Sequence, residues 1–214
     1  MNTTTLEVGA AAPRRSRLTI GLWWLTLAVG VYFVAKNVPR YLTIDEAVYG
    51  PYFWPRAGYL VPHLLAGLVA IVLGPLQFWS RIRNGHPKVH RLTGRVYLSA
   101  IVVGSLAGMG LALTTAVTPT YAAGLFALAC AWLATSAMAF IAIKKRNFIQ
   151  HKEWMIRSYV VTFAFVVFRL VVDSLAYLEI GDRSSNSTTM AWACWVVPLL
   201  LTEMVLQGRK LAAR

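Results

Sequence analysis

Four histidines and one pair of opposite charges are the side chains in this sequence whose chemistry goes beyond packing. His63 lies inside an apolar run, while His86, His90 and His151 stand among arginines in two polar segments. Imidazole titrates near neutrality and can ligate a metal or haem iron, or carry protons. Arg169 and Asp173, four residues apart in another apolar run, share one helical face and can pair. An ionisable side chain within a bilayer is costly unless paired, so each of these is a functional hypothesis by default.

The spacing places these residues on two stripes. His151, Ser158, Thr162, Phe165, Arg169, Asp173 and Tyr177 recur at three, four or seven residues, which is one face of a helix. From His151 to Arg169 that face covers about 27 Å at the helical rise. His63, Gly67, Ala70, Gly74, Gln77 and Arg81 form a second stripe, with small residues that let a backbone or a flat cofactor approach. Ala100, Gly104 and Gly108 extend the small-residue pattern to a third helix. His63, Arg169 and Asp173 are expected at one depth, as an outer polar cluster. Gln77, Arg81, His86, His90, Arg95, His151, Trp154 and Arg157 are expected at the opposite edge.

The elements that carry these stripes are transmembrane helices. Of 214 residues, 57% are hydrophobic and 14% charged, with a mean hydropathy of +0.57. A soluble domain of this size needs a more charged surface, and a disordered chain needs far fewer apolar residues. Runs of about 20 residues, enough to cross a hydrocarbon core of roughly 30 Å, fall near 18–36, 59–80, 96–116, 122–143, 155–179 and 190–207. The expected fold is an all-α integral membrane protein, a six-helix transmembrane bundle over 18–207. Residues 1–17 read as a disordered cytoplasmic tail and 208–214 as a second cytoplasmic tail. Pro62 suits a helix entry and Pro75 a kink.

Charge sets the orientation. Lys and Arg number 21 against 8 Asp and Glu, a formal +13. Sixteen of the 21 fall before the first run, between the second and third, around the turn between the fourth and fifth, and after the sixth. All four clusters lie on one side of an even-span topology, which puts both termini in the cytoplasm, with the cell membrane as the expected location. Charge interleaved with apolar spans is no nucleic-acid footprint. The partner expected at the basic edge is anionic lipid. Arg14 and Arg15 before an apolar run resemble a secretory signal, but no small-x-small cleavage site follows Val34, so the segment reads as a retained span.

The connection 37–58 holds Tyr41, Tyr49, Tyr52, Phe53 and Trp54 beside Asp45 and Glu46, and reads as an aromatic interfacial segment or as a lid over an outward-facing site. Trp192 and Trp195 read as outer-belt anchors, and Glu203 as a partner of Arg209 or a loop arginine. Cys130 and Cys194 lie in apolar runs and read as packing residues. Asn186-Ser187-Thr188 matches a short glycosylation acceptor pattern.

His63, then Gly74-Pro75-Leu76-Gln77-Phe78, then His90-Arg91-x-x-Gly94-Arg95-x-Tyr97, then His151-x-x-Trp154-Met155-x-Arg157-Ser158, and finally Arg169 form a combination far more specific than its parts. Over about residues 60–170 the chain resembles the predicted membrane proteins of domain-of-unknown-function family 2306. The resemblance implies a multi-helix integral membrane protein with His63, His90, His151 and Arg169 as signature polar residues, and it implies no established reaction. His86 and Asp173 lie outside that pattern, so their roles rest on spacing.

Three functions are open to these residues. In the first, His90 and His151 ligate haem b iron, or the same edge binds quinone, with Arg95 and Arg157 beside the propionates. In the second, a transporter or lipid-handling protein uses a polar site of His63, Arg169 and Asp173. In the third, these residues pin helices together in a structural or assembly factor without catalysis. An acid–base enzyme is weaker, because no paired carboxylates or nucleophile accompany Asp173 and His63.

Overall fold

The computed structural model describes residues 17–213, so the expected tail before Arg17 lies outside the described residues. These residues form α1 (Arg17–Asn37), α2 (Glu46–Phe53), α3 (Ala57–Phe78), α4 (Ser80–Gly85), α5 (Pro87–Leu113), α6 (Pro119–Lys144), α7 (Phe148–Thr162), α8 (Ala164–Tyr177) and α9 (Arg183–Ala212), with 3-10 turns at Pro39–Tyr41 and Trp54–Arg56. Among the described residues, five stretches are long and apolar enough to cross a membrane: Glu46–Phe78, Pro87–Leu113, Pro119–Lys144, Phe148–Tyr177 and Arg183–Ala212. α1 occupies the place of the first expected span.

Local chemistry sets the boundaries. The Thr118, Asn147 and Asp182 side chains cap α6, α7 and α9, each accepting a hydrogen bond from a backbone N–H three residues on. Pro87 and Pro119 open α5 and α6, where a missing N–H costs nothing. α5 therefore begins nine residues before the expected 96 and carries His90 on its first turns. The expected fifth span is two helices that meet at Phe163, and α9 continues through Ala212 into the expected tail.

Pairwise contacts fix the packing. α3 and α5 run antiparallel, with Gln77 against Gly94, Ala66 against Gly104, and His63 against Gly108. α6 and α7 are also antiparallel, with Ala139 bonded to His151 and Ser136 to Ser158. α9 lies along α6 and against α7 and α8. Small residues make close approach feasible: a Cβ on Gly104 would stand 3.0 Å from the Trp132 ring and 3.1 Å from Ala66 Cβ. Large aliphatic side chains such as Val102, Leu106, Leu200 and Leu201 lie exposed on the outer faces, the arrangement expected where the solvent is lipid.

A polar network crosses the centre. Trp132 Nε1 donates to Thr162 Oγ1 at 2.9 Å, and Thr162 Oγ1 donates to the Ser158 carbonyl at 2.9 Å. Tyr97 Oη must then donate to Thr162 Oγ1 (3.1 Å), Ser158 Oγ to Tyr97 Oη (2.9 Å), and Ser136 Oγ to Ser158 Oγ (2.8 Å). With that direction every hydroxyl proton has an acceptor, as burial requires.

Candidate functional site

The end of the bundle that carries α2 contains a cavity of about 220 Å³, walled by α1, α3, α5, α6, α7 and α8 and bordered by the 37–58 connection. Most of its wall is apolar, including Leu64, Leu68, Ile71, Leu125 and Leu128. Its polar lining falls in two groups. At the mouth stand Arg40, Arg56 and Arg169 with Tyr41, Tyr52 and Tyr121; deeper lie His63, Ser105 and Thr162.

Each deep polar group has a defined state. His63 Nδ1 lies 2.8 Å from the Gly104 carbonyl oxygen. A carbonyl only accepts, so Nδ1 carries a proton and donates it. Ser105, 1% exposed, has no partner for its hydroxyl. A helical serine ordinarily bonds the carbonyl one turn back, and a buried hydroxyl without a partner is costly.

The expected cluster of His63, Arg169 and Asp173 is divided by the tertiary structure. His63 and Arg169 border the same cavity. Asp173 borders a second cleft, between α1 and α8, that Arg169 also lines. Arg169 Nε stands 3.9 Å from Asp173 Oδ2, and Arg183 Nη2 is closer to the same carboxylate at 3.4 Å. The Arg169–Asp173 contact is thus loose, and the carboxylate is shared.

The opposite end holds the other expected residues. His151 Nδ1 lies 2.9 Å from the Ala139 carbonyl oxygen, so it too donates. His90 is half-buried and its Nδ1 has no partner. Arg95 and His86 are exposed. Arg157, 8% exposed, is held by Glu203, with its Nε donating at 2.9 Å, and lies near Glu153 at 3.8 Å and over the Trp154 ring. Of the two partners expected for Glu203, Arg209 or a loop arginine, the structure gives the second: Arg157, one of the basic residues around the turn between the fourth and fifth runs. A neighbouring turn of α9 brings Lys210 to Glu153 at 2.7 Å. Among the described residues no three His, Cys, Asp or Glu side chains converge as a metal site.

Arg56 and Ser105 are the site residues that sequence reasoning passed over, whereas Tyr52 belongs to the connection read as an interfacial segment or a lid. The signals available for them were a basic residue within an aromatic connection and a small residue beside Gly104. Both cysteines are free, Cys194 buried and Cys130 exposed. The amide nitrogen of Asn186 donates to the Ile180 carbonyl at 2.7 Å, which engages the atom that glycosylation would modify.

A family model described as "Predicted membrane protein (DUF2306)" matches residues 60–206, and the chain belongs to that family. No curated protein and no solved structure matches the chain. The matched residues take in α3 from Leu60 through most of α9, and so the cavity's deep wall and both histidine levels.

Proposed function

We propose that this integral membrane protein has six spans, with both termini cytoplasmic in the cell membrane, and that its α2-end cavity, then on the outer side, binds one lipid-soluble molecule. Five apolar stretches together with the 21-residue α1 support the count. The collection of basic residues at the α4 end supports the orientation, and that edge suits anionic lipid.

The observation that carries the ligand reading is an apolar cavity in which a polar group is left wanting a partner at depth. Ser105 Oγ has none among the described residues, and the His63 ring, tied by Nδ1 to the Gly104 carbonyl, lines the same space. Mostly apolar walls with a few placed polar groups are the general form of a small-molecule site. Gly67 lines the cavity, and a Cβ there would meet nothing within 4 Å. Gly67→Phe should therefore enter the cavity from a Cβ that meets no wall atom. A neutral solvatochromic dye should bind the detergent-purified protein saturably, and this variant should abolish that binding while its melting temperature stays within a few degrees. Equal binding by both proteins would overturn the reading.

The redox alternative is favoured by one observation, the partnerless Nδ1 of His90 at the edge that also holds His151. Against it, the space inward of these residues is filled by Tyr97, Ile101, Ala139 and Met155, a close-packed cluster. Oxidised and dithionite-reduced absorbance spectra of protein made with ample haem separate the two. A Soret band with a sharpened α-band, lost in His151→Ala, would favour haem ligation.

A further inference from the structure

We propose that the cavity selects an oxyanion headgroup, carboxylate or phosphate, carried on an apolar chain, and that Arg56 is the side chain that reads it. This rests on the ligand-binding reading above and specifies the ligand's class.

Arg56 is 8% exposed and stands where the 3-10 turn Trp54–Arg56 runs into α3, at the cavity mouth. Its Nε donates to the Tyr52 carbonyl at 2.8 Å, and its guanidinium carbon lies over the Tyr52 ring, 3.6 Å from the centroid. Those two contacts hold the fork in place. They leave Nη2 buried and without an acceptor, a costly state for a charged donor unless something else supplies the acceptor. A guanidinium fork so held matches the paired oxygens of a carboxylate or phosphate.

The surrounding charge points the same way. Among the described residues, the cavity is bordered by three arginines and by no carboxylate. Arg40 is engaged by Tyr41, donating to its hydroxyl at 2.9 Å and lying over its ring. Arg169 has only the 3.9 Å contact with Asp173. Asp45 is turned to its own helix, capping α2 through the Ala47 N–H. A neutral or cationic headgroup would leave this cationic mouth uncompensated, whereas one oxyanion would answer Arg56 and lie in the field of Arg169. Leu64, Leu68, Leu125 and Leu128 below the mouth suit the chain that follows it.

The test uses the full chain in dodecyl maltoside, a detergent with no oxyanion, loaded with the neutral dye. Oleate should displace the dye at a midpoint about tenfold below that of oleyl alcohol. The preference should fall to near one in Arg56→Gln and be partly kept in Arg56→Lys. Should Arg56→Gln fail to fold, Arg56→Lys and Arg169→Gln must each reduce the preference. Dioleoylphosphatidic acid in place of oleate distinguishes a phospholipid from a single-chain carboxylate. Stabilisation by inorganic phosphate alone, absent in Arg56→Lys, would overturn the requirement for a chain. Equal potency of oleate and oleyl alcohol, or a preference untouched by every arginine variant, overturns the headgroup inference and leaves the ligand-binding reading standing. Failure of every amphiphile and of the dye itself removes both.

Discussion

The ring of Tyr159 lies directly on the backbone of Gly74: a Cβ built there would fall 2.0 Å from ring carbon Cε2 and 2.3 Å from Cδ2. The Tyr159 hydroxyl also reaches the Ile71 carbonyl at 3.4 Å. Ile71 is four residues before Pro75, which has no N–H to give it. The glycine, the proline and a tyrosine on another helix thus form one joint between α3 and α7. Where lipid offers no hydrogen bond, a freed carbonyl needs such a partner.

Gly74→Ala must push an aromatic ring aside in a packed interface. It should lower stability by about 1–3 kcal/mol, as overpacking does, read as a lower melting midpoint in detergent. Tyr159→Phe keeps the ring and removes only the hydroxyl, so it should cost less. A neutral Gly74→Ala would contradict this packing.

Arg157 and Glu203 tie α7 to α9. Glu203→Ala leaves a guanidinium that is 8% exposed with Glu153 at 3.8 Å as its remaining carboxylate and should cost about 2 kcal/mol. Replacing both residues by leucine should recover most of that loss, because no buried charge is then left unpaired. A double-mutant cycle reads the coupling directly.

Arg169 and Asp173 are about a quarter to a third exposed and 3.9 Å apart. Asp173→Asn should therefore change stability by less than about 1 kcal/mol. Removing that carboxylate frees Arg169 for an anion, so the same variant should tighten oleate displacement by about threefold. Marked destabilisation would show instead that the pair is chiefly a structural tie.

Asp182, in the connection before α9, accepts from the Ser185 N–H at 2.8 Å, and this bond holds its carboxyl below the usual 3.8. A depressed folded value means that its contribution is full above the unfolded value and is lost as pH falls through the folded one. The melting difference between wild type and Asp182→Ala should be constant above about pH 5 and shrink in stronger acid. A difference independent of pH would contradict the charged cap.

The sequence by itself determined an all-helical membrane protein and its family. Apolar run length places most of the long helices, and the i,i+4 spacing of Arg169 and Asp173 puts them on one face, because helical rise and rotation are local properties of the backbone. Periodicity does not say which helix a face meets. Only the tertiary structure gave Asp173 to Arg183 as well as Arg169, gave Glu203 to Arg157, and joined Tyr97 to Ser158 and Thr162. It also turned Arg56, in a connection that reads as interfacial, into the cavity mouth, since Gly50 at φ 64° with Pro51 breaks the path of α2 and the next turn leads into α3. These pairings depend on close packing between segments distant along the chain, where small residues such as Gly74 and Gly104 set how near two helices can come.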